Sequence, residues 1–369
     1  MNVDGGLLPC ERALGVIWNV ENDKLGFKIS IVDKLCTKRN ILSVIFSIYD
    51  PCSLISPAIV NAKKLFQEAC SLNCSWDDTL PEHLELRWNT WKANILLINT
   101  LEIPRPFFAN VDNYENVQLH IFCDGSLTAY GAVAYLRCSS RSISACSIVL
   151  ARVRLTPLSR ASLRTVPRIE LNAAKIGVEL YLKIINEINY DVASVWFWSD
   201  SSIVLNYIAS NNGRFQRFVA NRVAFIRTHT SVSQWRFVPG ELNPADLLSR
   251  GTSDMRKFID CSLWFGGPDF LLCDEIYWPS SFQASEVSGD DSEIIKSAHV
   301  TIHKNFDSLI VRLFKSVSCW SKLRHRVAVL IKFVEFIRYK SITTVAVDDL
   351  VMAEMRIFRC LQRTIFKEA

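Results

Sequence analysis

Residues 117–126 read Val-Gln-Leu-His-Ile-Phe-Cys-Asp-Gly-Ser, and the fold of the chain turns on this decamer. Val117, Leu119, Ile121 and Cys123 alternate with the residues between them, the period-2 pattern of a half-buried strand. The run stops at Asp124-Gly125, a turn-forming pair, so a carboxylate is delivered to the end of a strand. Short apolar runs follow at 131–136 and 145–153, and Pro167 opens a helical pattern over 168–188. A fourth strand at 195–198 leads into a helical pattern at 201–208. A helix at 217–228, a fifth strand at 234–238 and a short helix at 243–249 complete the series. This order predicts an α/β domain over 116–252, with a five-stranded mixed sheet and flanking helices.

Outward from that domain the pattern changes. Residues 1–115 carry strand-like runs at 14–18 and 26–31, then helices at 58–71 and 82–97. The second helix places Leu84, Trp88, Trp91 and Ile95 at three-to-four spacing. Residues 253–290 read as a linker, with Trp264, Gly266-Gly267-Pro268 and the start of an acidic polar stretch at 286–293. Residues 291–369 read as helical, with a basic and aromatic stripe from Trp320 to Arg338.

Hydrophobic residues are 49% and charged residues 21% of the 369, which excludes a disordered chain. The net charge of +5 is too mild to name a partner. No apolar run approaches a membrane span, and Asp4, Glu11 and Arg12 interrupt the N-terminus, so no secretory signal is read. The expectation is an intracellular protein of cytoplasm or nucleus, with no membrane partner. The 12 cysteines contain no Cys-x-x-Cys pair and are expected as reduced thiols.

Four carboxylates stand at strand ends or helix starts: Asp124, Glu170 in Pro-Arg-Ile-Glu-Leu, Asp200 in Trp-Ser-Asp-Ser, and Asp246 in Asn-Pro-Ala-Asp. Singly, each has an ordinary role: a turn residue, a helix-start carboxylate, an N-cap, a capping residue behind Asn243 and Pro244. Jointly, strand ends of an open α/β sheet converge on one site. Four converging carboxylates repel unless cations sit between them. Hard, oxygen-preferring ions such as Mg²⁺ suit that cage, and two ions would clamp a phosphodiester.

The motifs around these carboxylates resemble a known family. Asp on the first strand, Glu in the first helix, Asp after the fourth strand and Asp in the last helix resemble a ribonuclease H. Cys-Asp-Gly-Ser (123–126), Ala-Tyr-Gly-Ala-Val (129–133), Pro-Arg-Ile-Glu-Leu-Asn-Ala-Ala (167–174) and Asn-Pro-Ala-Asp-Leu-Leu-Ser-Arg-Gly (243–251) are similar to the BEL/Pao group of LTR retrotransposons. The resemblance extends to Tyr49-Asp50-Pro51 and Ser56-Pro57, to Trp264 with Gly267-Pro268, and to 347–368. It implies a ribonuclease H-like domain at 116–252, a reverse-transcriptase thumb or connection-like region at 1–115, and a helical segment at 291–369 preceding an integrase. It further implies that Asp124, Glu170, Asp200 and Asp246 hold two Mg²⁺ (Mn²⁺ as a substitute) and cut the RNA strand of an RNA–DNA hybrid.

Between Arg137 and Ile169 lie seven arginines and no acid, a phosphate-contact pattern that includes Arg164 and Arg168. Arg250 joins them on the last helix, and Ser126 and Asn206 are candidates for the ribose 2′-hydroxyl. Trp196 and Trp198 alternate with Phe197 and read as core. No Tyr-x-Asp-Asp palm motif occurs, and His299 with His303 lacks the following Cys-x-x-Cys of an integrase zinc site. The polymerase palm and the integrase are thus expected as neighbouring polyprotein domains absent from this chain. Two other readings stand beside the nuclease. One is a non-catalytic transposon remnant that keeps the fold and binds nucleic acid. The weaker is an aspartic peptidase, a label this region of such polyproteins sometimes carries; neither Asp-Thr-Gly nor Asp-Ser-Gly occurs.

Overall fold

The structure is a computed structural model. It describes residues 11–13, 16–108, 115–139, 144–158, 165–210, 215–280, 282, 284–285, 291, 293–294, 313, 316–339 and 345–365. Contacts gather residues 1–296 into one compact unit and 297–369 into a second.

The first unit begins with a small antiparallel sheet. Its order is β1 (Glu11–Ala13), β2 (Val16–Asn19), β3 (Lys24–Phe27) and β4 (Glu102–Pro104). Between β3 and β4 run α1 (Lys38–Ser47), α2 (Ser56–Cys70) and α3 (Glu82–Ile95). Asp50 organises the entry to α2, its two carboxylate oxygens accepting the Leu54 and Ile55 amides at 2.8 and 2.9 Å. The expected stripe of α3 is its buried face. Leu84, Trp88, Trp91 and Ile95 all point inward, and the Trp91 indole donates to the Ala58 carbonyl at 2.8 Å.

The main sheet contains β5 (Glu115–Gly125), β6 (Ala129–Ser139), β7 (Ser144–Leu155), β8 (Val192–Ser199) and β9 (Trp235–Phe237), in the order β7-β6-β5-β8-β9. The first three strands form an antiparallel meander, while β8 and β9 run parallel to β5. Helices α4 (Val166–Glu187), α5 (Ser202–Ala209), α6 (Arg217–His229) and α7 (Ala245–Arg250) connect or follow these strands. The mixed five-stranded sheet with flanking helices is the expected architecture.

Alternation along β5 assigns the two faces of the sheet. Leu119, Ile121 and Cys123 pack against Leu171, Ala174 and Val178 of α4, and this core continues into α5 and α6. Helix α4 sits very close: a Cβ on Gly177 would lie 2.4 Å from the Cys123 sulfur. On the other face Phe122, Tyr135 and Trp198 pack against a core shared with Ile55, Trp88, Trp264 and Trp278. Trp198 is fully buried, as the alternation predicted. Its indole donates to His120 Nδ1 at 3.1 Å, and burial, reinforced by Arg137 and Arg236, holds that imidazole neutral.

Two expectations need correction. Over 253–280 the expected linker is a packed strap, with the short helices α8 (Met255–Ile259) and α9 (Ser262–Phe265). Trp264 is completely buried and donates to the Leu54 carbonyl at 2.7 Å, while Tyr135 bonds the Trp264 carbonyl at 2.7 Å. Short turns of helix carry no long periodic signal, which is why the sequence read as linker. The basic run is also not one surface. Arg137 is buried, bonding the Leu271 and Cys273 carbonyls and Gln118, and so pins the strap to the sheet.

In the second unit, helices Trp320–Tyr339 and Val347–Ile365 pair through Leu323, Val327, Ala328, Ala353, Ile357 and Cys360. An Arg324–Glu354 ion pair of 2.8 Å joins them. His299 and His303 lie outside the described residues. No disulfide forms among the described cysteines, and no described helix is long and apolar enough to cross a membrane.

Candidate active site

The parallel pairing of β5 with β8 places Cys123 beside Ser199. Asp124 and Asp200 therefore leave adjacent strands at the same level, at their C-terminal ends, where α/β sheets build their sites. Asp124 is buried, at 6% exposure. The Ser249 hydroxyl of α7 donates to its Oδ2. Burial pushes the Asp124 carboxyl up, the Ser249 and Gly125 hydrogen bonds oppose the shift, and the Asp246 charge adds to it.

Glu170 stands in the first turns of α4. Its approach to Asp124 requires a glycine, because a Cβ on Gly125 would fall 2.9 Å from the Glu170 nitrogen and the Ile169 carbonyl carbon. The Ser201 hydroxyl, which also caps α5 by accepting from the Val204 amide, donates to Glu170 Oε2 at 2.6 Å. Burial raises the Glu170 carboxyl, Ser201 counteracts, and the Asp124 charge raises it further.

Asp200 is the most perturbed of the set. Burial, then Asp124, then Glu170 and Asp246 push its carboxyl up to about 7. Its Oδ1 is buried with no hydrogen-bond partner. Leaving a buried acceptor unpaired costs about 1–3 kcal/mol. Such orphans concentrate where a ligand completes the coordination.

Helix α7 brings the fourth carboxylate. Fully buried Asn243 ties the helix to β5, its amide donating to the Cys123 carbonyl at 3.2 Å and its Oδ1 accepting from the Ala245 amide at 3.1 Å. Asp246 lies within electrostatic reach of Asp124 and Asp200, but its carboxylate is paired with Arg250 one turn along. Among the described residues no group of three or more His, Cys, Asp and Glu side chains is placed to hold a metal ion. The donor chemistry nevertheless fits a hard divalent cation: every candidate ligand is a carboxylate oxygen, and one of those oxygens is buried and unpartnered.

The polar residues expected to meet nucleic acid occupy different places. The Ser126 hydroxyl is committed to the β5–β6 turn, accepting from the Thr128 amide at 3.0 Å and donating to the Ser249 carbonyl at 2.9 Å. Arg250 is exposed beside Asp246. Arg168 forms a two-point ion pair with Glu293, and Asn206 bonds Ser285. Arg164 lies outside the described residues. Sequence reasoning missed Ser201 and Ser249. The only available signal was their position, one residue beyond Asp200 and three beyond Asp246.

Residues 37–201 match the Pao retrotransposon-like RNaseH-like domain. That family description agrees with the resemblance carried by the motifs, and it is of an RNaseH-like domain, not a peptidase. No curated protein matches the chain. Solved structures similar to it include the N-terminal RNase H domain of a Mycobacterium tuberculosis protein fused to maltose-binding protein. It is 17% identical, covers 40% of this chain and 99% of that one, and has a TM-score of 0.27. RNase H1 from the halophilic archaeon Halobacterium salinarum is 11% identical, covering 40% and 98%, with a TM-score of 0.20. LC11 RNase H1 in complex with an RNA/DNA hybrid is 13% identical, covering 36% and 93%, with a TM-score of 0.22. The fold assignment rests on the strand order and the Pao match, and not on these scores.

Proposed function

We propose that residues 116–252 form a metal-dependent endonuclease that cleaves the RNA strand of RNA–DNA hybrids, as one part of a retrotransposon polyprotein. The observations that support this reading are that Asp124 and Asp200 leave the C-terminal ends of β5 and β8 side by side, that Glu170 of α4 is within electrostatic reach of both, and that Asp200 Oδ1 is buried and unpaired. In this reading Asp124, Glu170 and Asp200, joined by Asp246 on α7, hold two Mg²⁺, with Mn²⁺ as a substitute. The ions would supply charge neutralisation and activate the water that attacks the phosphodiester.

The chain's own contribution is orientation. The Ser249 and Ser201 hydroxyls each donate a hydrogen bond to a carboxylate, orienting Asp124 and Glu170. Gly125 lets α4 approach, and Asn243 holds α7 against the end of β5. Arg168, Asn206 and Arg250, and with them Ser126 and Arg164, are the residues assigned to the nucleic acid. Arg168 is set two residues before Glu170, and its fork suits two-point bonding of a phosphate.

The test is strand selectivity. The full chain, given Mg²⁺ and a hybrid labelled on either strand, is expected to shorten only the RNA strand and to leave 5′-phosphate and 3′-hydroxyl ends. Equal cutting of duplex DNA, or product formation blocked by pepstatin in a protease assay, would contradict it. The non-catalytic reading draws on one observation, the absence of a ready-made cage among the described side chains. It predicts hybrid binding without cleavage at any divalent ion concentration.

A further inference from the structure

Arg168, two residues before Glu170, suits a phosphodiester backbone and already carries an anion. Arg168 on the first turn of α4 donates from Nε to Glu293 Oε1 at 2.5 Å and from Nη2 to Oε2 at 2.9 Å. Glu293 is buried, at 4% exposure, which is rare for a glutamate and holds only because this pairing is two-pronged. The guanidinium also lies over the Phe218 ring, 5.0 Å from its centroid. The backbone of the same acidic segment is docked as well. The Gln216 amide donates to the Glu293 carbonyl at 2.7 Å, and Phe215 and Ile294 form an isolated β-bridge.

Flanking contacts repeat the theme. Asp291 accepts from the Tyr207 hydroxyl at 2.7 Å and from the Glu293 amide at 2.8 Å. On α5, Asn206 donates to the Ser285 hydroxyl at 3.0 Å and accepts from the Ser285 amide at 2.9 Å. Two side chains assigned to nucleic acid, more than 75 residues before their partners, are thus both occupied by residues of the 285–294 stretch. A carboxylate in the fork of an arginine makes the same two-point bond as a phosphate. Docking both in one fork is impossible.

We propose that Glu293, with Asp291 and Ser285, is an intramolecular stand-in for the nucleic-acid backbone, and that it competes with the hybrid for Arg168 and Asn206. The proposal rests on the nuclease reading for the identity of the competing ligand. In the resting chain Glu293 and Ser285 occupy the contacts of Arg168 and Asn206. Binding of hybrid exchanges one anion for the other and frees the stretch. The coupling is reciprocal, so each ligand weakens the other by the same factor.

The test uses the full chain, a fluorescent RNA–DNA hybrid and a chelator, so that binding is read without cleavage. Glu293→Gln is expected to tighten hybrid binding by about fivefold or more. Glu187→Gln, on the exposed far end of α4, removes the same single charge and is expected to change it little. A second measurement needs no variant: hydrogen exchange at the Gln216 amide of the wild-type chain is expected to speed up when hybrid is added. If Glu293→Gln and wild type bind hybrid equally and the Gln216 amide stays protected in the complex, competition is refuted while the nuclease reading stands. If neither binds hybrid at all, both fall together.

Discussion

Asp200→Asn is expected to make the metal-free protein more stable while removing its activity. In the folded chain the Asp200 carboxyl is pushed up to about 7 from an ordinary 3.8, by burial and by three neighbouring carboxylates. A group raised in the folded state adds stability that is fully present below its unfolded value and is lost as pH rises through the folded value. Above about pH 8 the fold therefore holds a charge it disfavours by roughly three pH units. At about 1.4 kcal/mol per unit, that is an upper figure of about 4 kcal/mol. Solvent at the partly exposed rim and the imperfect fit of an amide reduce it to about 2–4 kcal/mol. For a unit of this size that corresponds to a gain of about 5–10 °C in melting temperature.

The assay is thermal unfolding of the full chain and of Asp200→Asn in chelator, from about pH 4 to pH 9. The gap between them is expected to be near zero at the acid end and to open through neutrality. Adding Mg²⁺ at pH 8 is expected to stabilise wild type more than the variant, because ion binding offsets the same repulsion. A variant that melts at or below wild type at pH 9, or a gap that does not change with pH, would refute the electrostatic account of this site.

Two further substitutions probe the parts that orient the carboxylates. Gly125→Ala forces a Cβ against the α4 backbone at 2.9 Å, and is expected to cost about 1–3 kcal/mol in thermal melts. It is also expected to lower hybrid cleavage by more than the lost stability explains, because Glu170 is displaced; an unchanged melting temperature would count against the tight approach. Ser249→Ala removes the bond that holds the Asp124 carboxyl down, so the acid limb of the cleavage pH profile is expected to move upward. An unmoved limb would show that Ser249 does not tune Asp124.

Much of the α/β domain was legible from periodicity alone. The alternation of Leu119, Ile121 and Cys123 is the face that α4 covers, and the 3–4 spacing of Leu84, Trp88, Trp91 and Ile95 is the buried stripe of α3. The four carboxylates stand out in sequence because each closes a strand or opens a helix, and the fold sets Asp124, Glu170 and Asp246 within electrostatic reach of Asp200. Their supports do not stand out. Ser201 and Ser249 are ordinary residues in sequence, and their roles arise only when α5 and α7 fold against the strand ends. The strap at 253–280 escaped because its helical turns are too short to show a period, although Trp264 signalled something to bury. The pairing of Arg168 with Glu293 joins residues 125 positions apart, and no local rule reaches that far. Arg137 shows the converse: a run of like charges predicts a surface, but one member is spent inside as a pin.

The most direct measurement is cleavage of a labelled RNA–DNA hybrid by the full chain, with and without Mg²⁺, beside Asp124→Asn. The predicted result is RNA-strand cleavage that requires the ion and disappears with Asp124, while the variant still folds and binds hybrid. Cleavage that survives Asp124→Asn, or a folded wild-type chain that binds hybrid with Mg²⁺ and never cuts it, would contradict the assignment of this site.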